Sequence, residues 1–125
     1  MKLTAINDST INISGTSLQG YVTTTRAELN KAFGTVEPSP FGDKVIFEWD
    51  LHFENEDETL VATIYDYKEE RELGIDEVYE WHIGGTSYEA VIQVTSALFE
   101  RGIYVKGYRS AKEQRYMPPL FASIS

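Results

Sequence analysis

From residue 45 to 53 every odd position is large and apolar (Val45, Phe47, Trp49, Leu51, Phe53), while 48, 50 and 52 are Glu, Asp and His. A period of two belongs to a strand with one face on a core and the other toward water. Residues 78–83 repeat the pattern, with Tyr79, Trp81 and Ile83 alternating with Glu80 and His82. Between them, "ENEDE" at 54–58 predicts a turn. "TLVATIYDY" at 59–67 then predicts a strand apolar on both sides for most of its length, which suits a more central place in a sheet. "KEERELGIDE" reads as a charged surface loop.

Two stretches keep the helical period instead. Leu29, Ala32 and Phe33 form one stripe, with Thr25 and Glu28 as a capping box and Gly34 as the stop. Ala90, Val91, Val94, Ala97 and Leu98 form a second, with Thr86 and Glu89 as its box and Arg101-Gly102 as its end. Residues 2–6 and 10–14 flank "NDS" and predict a short hairpin with Leu3, Ala5, Ile11 and Ile13 inward. "GTSLQG" at 15–20 and "EPSPFGD" at 37–43 predict loops. "IYVKGY" at 103–108 predicts a last strand, and "MPPLFASIS" an extended tail, because Pro118 and Pro119 exclude a helix. The sum is a single α+β domain over 1–125: a mainly antiparallel sheet of five to six strands with two amphipathic helices packed on one face. Residues 102–125 form its basic C-terminal strand and tail.

Composition narrows the chemistry. The 125 residues include no cysteine, which excludes disulfides, thiolate metal sites and cysteine nucleophiles. The polar start and the lack of a membrane-length apolar run point to a cytoplasmic protein with no membrane partner. The net charge is −9 and unevenly spread. Residues 37–80 hold fifteen acids against three bases, whereas 101–125 hold Arg101, Lys106, Arg109, Lys112 and Arg115 against Glu113 alone. An acidic body repels the phosphate backbone, so duplex nucleic acid is not an expected partner.

Candidate sites follow from these patterns. Gly84, Gly85, Thr86 and Ser87 join the 78–83 strand to the second helix, where a helix N-terminus can hold an anion. The loop has no lysine of a phosphate-loop motif, and Glu89 repels an anion, so a plain strand-to-helix corner is the competing reading. Tyr65 and Tyr67, with Lys68 and Arg71 nearby, suit a planar ring and its anionic group, or else a dimer contact. Lys106, Arg109 and Arg115 supply the densest positive charge and would stand beside a phosphate; the alternative is a solvated terminus. His52 and His82 share strand faces with Glu48, Asp50 and Glu80, and would form a metal or acid–base cluster if their strands were neighbours. Charged residues on a solvated strand face explain them equally, so no catalytic residue, metal or cofactor is assigned.

The succession "GYVTTTRAELNKAFG", "EWDLHF", "VATIYDYK" and "EWHIGG", then an amphipathic helix, resembles a group of small bacteriophage-encoded proteins over roughly residues 15–100. The likeness lies in the combined order, and no established activity comes with it. It implies an infected bacterial host and an accessory or counter-defence role. The function expected is a non-catalytic protein, homo-oligomeric, that sequesters a small anionic ligand of nucleotide type. Two alternatives stand beside it: an acidic inhibitor that binds a host nucleic-acid or defence enzyme, and a small hydrolase using the histidines and carboxylates.

Overall fold

A sheet in the order β1-β3-β4-β5-β2-β6 carries the molecule, with every neighbouring pair antiparallel. In the computed structural model, which describes residues 1–40 and 44–113, the strands are β1 (Lys2–Ile6), β2 (Ser17–Thr25), β3 (Glu48–Glu54), β4 (Thr59–Tyr65), β5 (Val78–Gly85) and β6 (Gly107–Ser110). The helices among the described residues are α1 (Arg26–Phe33) and α2 (Glu89–Glu100), and a 3-10 turn follows at Ala111–Glu113. None of these helices is long and apolar enough to cross a membrane. The expected α+β architecture is thus present, with six strands. The expected tail at 117–125, Arg115 and residues 41–43 of the Pro-Gly loop lie outside the described residues.

Alternation decides which face is covered. Trp49, Leu51 and Phe53 of β3, Leu60, Ala62 and Ile64 of β4, Trp81 and Ile83 of β5 and Val22 of β2 are all buried. They share one core with Leu29, Ala32 and Phe33 of α1 and with Ala90, Val91, Val94, Ala97 and Leu98 of α2. Both helices therefore sit on the same side of the sheet. Two tryptophans at the centre meet edge to face, 5.3 Å apart. Their indole N–H groups also reach the two ends of α1: Trp81 Nε1 donates to Thr24 O at 3.2 Å, and Trp49 Nε1 to Gly34 O at 2.8 Å. A buried indole needs a partner for its N–H, and here that need fixes where the helix lies.

Local chemistry sets the ends of the helices. Thr25 Oγ1 accepts from Glu28 N at 3.1 Å, and Gly34 leaves the helix with φ 88° while its N–H donates to Asn30 O. At the end of α2, Gly102 turns left-handed at φ 68°. Its N–H donates to Phe99 O, and Ile103 N donates to Leu98 O, a paired closure that also returns Ile103 to the core.

Several expectations are corrected. Residues 10–14 form no strand: β1 pairs with β3, and Asn7, left-handed at φ 52°, turns the chain away. Asp8 and Asn12 side chains then brace turns by accepting from the amides of Thr10 and Ser14. "GTSLQG" is only in part a loop, since from Ser17 it enters β2, which lies between β5 and β6. The strand expected at 45–53 starts at Glu48, because the amides of Ile46 and Phe47 bond Asp66 Oδ1. Leu73, within the supposed surface loop, is 2% exposed and part of the core. The last strand is 107–110 rather than 103–108, since residue 103 is spent closing α2. Finally, α2 starts at Glu89, without the Thr86–Glu89 box. The Glu89 carboxylate accepts from Gln93 instead, because β5 continues to Gly85, which pairs with Ser17.

Candidate functional site

The sheet face away from the helices carries the even positions of β3 and β5 and the odd positions of β4. Cross-strand register lines up Arg109, Tyr21, His82, Tyr65 and Glu48 across five strands. At about 4.8 Å per strand the row spans roughly 19 Å. Its aromatic members touch: Tyr65 stacks on His82 at 5.3 Å, Tyr21 meets it edge-on at 5.0 Å, and Tyr67 lies tilted at 5.6 Å. Lys68 Nζ stands 5.3 Å from the Tyr67 ring, and its backbone is left-handed at φ 56°. For a lysine that conformation is uncommon, and such strain gathers at working surfaces.

Beside Tyr65 lies a cavity of about 190 Å³. Ile13 and Val45 give it apolar walls, Thr16, Ser17 and Thr63 give hydroxyls, and Glu48 gives a carboxyl. Its remaining lining is Tyr65 and Gly84. A methyl group on Gly84 would run into Thr63 Oγ1, so a residue without a side chain is required for β4 and β5 to close here. Gly85 is equally constrained, against Ala90 of α2. Two larger depressions, of about 290 and 570 Å³, flank β1 and the β3–β4 turn, but Phe53 is their only aromatic lining residue.

Electrostatics differ along the row. Burial first, then a hydrogen bond and repulsion from Asp50, push the Glu48 carboxyl up to about 8. Burial also raises the Tyr65 and Tyr21 hydroxyls and lowers the His82 imidazole, against the pull of Glu80, Asp66 and Glu69. Among the described residues His82 Nδ1 is buried without a hydrogen-bond partner.

The predicted cations do not converge. Arg109 grips Glu80 with two bonds of 2.7 and 2.6 Å while lying over Tyr21, so its charge is matched. Arg71 does the same with Glu77, at 2.9 and 2.8 Å. Lys106 is exposed before β6, and Thr86 and Ser87 are exposed between β5 and α2. Gly84 and Gly85 belong to the buried end of β5 rather than to a helix N-terminus. Of the expected ligand set, the structure brings together Tyr65 with Gly84 at the cavity, and Tyr67 with Lys68 next to His82.

The histidine cluster does not form, because β4 separates β3 from β5. His52 instead faces Thr4 across the β1–β3 pair, its Nδ1 3.0 Å from Thr4 Oγ1. Among the described residues no three His, Asp or Glu side chains gather into a metal-holding group. Tyr21 is the member of the site that the sequence left unnoticed, and Glu48, expected in a histidine cluster, stands beside Tyr65 instead. Only strand order reveals Tyr21, since β2 was not recognised as a strand. No protein-family model matches the chain, and neither the curated proteins nor the solved structures contain a significant match.

Proposed function

We propose that this chain is a non-catalytic binding protein that holds a small nucleotide-type ligand on its uncovered sheet face. The base packs against Tyr65, and the anionic group lies toward Lys68. One observation carries this reading: a cavity walled by Tyr65 opens on the face that neither helix covers, next to the rings of His82 and Tyr67. Tyrosine offers a flat apolar surface at little entropic cost, and a ligand pocket needs only a few polar groups to orient its guest. At about 190 Å³ the cavity suits one ring system rather than a whole nucleotide. With Arg71 and Arg109 engaged by carboxylates, Lys68, beside the Tyr67 ring, and Lys44, whose carbonyl accepts from Lys68 N, are the cations near this site that stand to meet a phosphate.

Sequestration without turnover agrees with the counter-defence role that the likeness to phage proteins implies, in the cytoplasm of an infected host. Exposed Ile92, Phe99 and Tyr104 offer apolar surface for a homo-oligomer. The acidic-inhibitor alternative draws less support. Its carboxylates divide between the 55–58 turn and the 69–77 loop, at opposite ends of the β3–β4 hairpin, roughly 20 Å apart.

The test is a melting-temperature screen against linear and cyclic nucleotides. A ligand at a hundred times its Kd stabilises the native state by about 2.7 kcal/mol. A shift that Tyr65→Ala removes, with the variant still folded, is the expected result. No shift across the panel contradicts the proposal.

A further inference from the structure

We infer that the cavity reads the edge of the base and takes a ring with two adjacent N–H donors flanked by a carbonyl, a guanine-type edge. This rests on the ligand-binding reading above. The cavity is lined by one carboxyl residue, Glu48, by the hydroxyl residues Thr16, Ser17 and Thr63, and by no cationic side chain. Glu48 lies two residues from Asp50 on the same strand face, close enough for Asp50 to help hold its proton. When one carboxyl of such a pair is protonated, its proton points at the other. A Glu48 carboxyl protonated toward Asp50 keeps one oxygen as an acceptor for a ligand in the cavity; when it ionises, both oxygens accept. In either state the ligand must bring donors. Asp50 Oδ1, buried without a hydrogen-bond partner among the described residues, adds an acceptor behind the first.

The common ring edges differ in this respect. Guanine presents N1–H and its 2-amino group side by side, and Glu48 in its ionised form accepts from both, so a guanine-type edge holds the carboxyl ionised. The neighbouring carbonyl oxygen needs a donor, which a hydroxyl such as that of Thr63 or Ser17 supplies. Hypoxanthine keeps N1–H and the carbonyl but lacks the amino group. Adenine offers an amino group beside a ring nitrogen, whose lone pair would face a carboxyl oxygen. A site built to satisfy a polar group discriminates strongly against an analogue lacking it, because its own buried groups are left unpaired.

Isothermal titration with guanosine, inosine and adenosine, and with their 5′-monophosphates, tests the inference on three proteins: the unaltered chain, Glu48→Gln and Tyr65→Ala. Guanosine is expected to bind at least tenfold more tightly than inosine or adenosine. Glu48→Gln should bring guanosine and inosine within about threefold, with circular dichroism verifying its fold. Tyr65→Ala should weaken all three together. Equal affinity for guanosine and inosine, or a preference for adenosine, overturns the edge assignment and leaves the ligand-binding reading standing. Absence of binding by every compound overturns both.

Discussion

Asp66 shows how much a single buried group organises here. It is fully buried, and its Oδ1 accepts from the amides of Ile46 and Phe47 at 2.8 and 3.0 Å. Those bonds lead the chain into β3 and set where the strand begins. Asp66→Ala leaves two amides without partners and should cost about 2–4 kcal/mol, read as a drop in the urea midpoint. Glu48 makes the opposite kind of contribution. Its folded value of about 8 lies above its ordinary 4.5, so the folded state holds more protons than the unfolded one within that window. Stability must then fall as pH rises from 4.5 to 8. His82, depressed from its ordinary 6.5, acts with the other sign below that value. The range from pH 6.5 to 9 therefore isolates Glu48 from His82. Over that range the melting temperature should decline, by the equivalent of ~1–2 kcal/mol for a half-buried, partly screened carboxyl. Glu48→Gln should flatten the decline, and an unchanged slope in that variant would show that the carboxyl is not responsible.

At the scale of elements, the turns that end each helix do much of the shaping. Thr25→Ala removes the side-chain cap of α1, for an expected loss of about 1 kcal/mol. Gly102→Ala places a β-carbon at φ 68° and should cost about 1 kcal/mol as well. Equilibrium unfolding of the two variants measures both. These stops were readable in the sequence, as were the buried stripes and the alternation that put Trp49 and Trp81 inward. The start of α2 was not. Thr86 and Glu89 have the spacing of a capping box, but β2 pairs with β5 as far as Gly85 and delays the helix. β2 itself escaped notice because "SLQGYVTTT" is mostly polar. Its threonines face bonds that only the fold supplies, such as Thr24 Oγ1 to Tyr104 O at 2.9 Å. The candidate site was legible in the same partial way. Tyr65, Tyr67 and Lys68 stood out from one stretch of sequence, with Thr63 on the same strand face as Tyr65, whereas Tyr21 and Glu48 join them only through cross-strand register.

The described residues form a layered object with one face closed by helices and the other left to tyrosines, two histidines and carboxylates. Of the basic segment, Arg109 pairs with Glu80, and within the acidic stretch Arg71 pairs with Glu77. The proposed function therefore rests on recognition of a ring by Tyr65 and its neighbours. The most direct test is an amide chemical-shift map during titration with guanosine 5′-monophosphate. Saturable shifts centred on Ser17, Thr63, Tyr65 and Gly84, extending to Lys68, are the predicted result. Shifts centred on Lys106 and the β6 edge, on the 55–58 turn, or absent at millimolar ligand, would contradict the account.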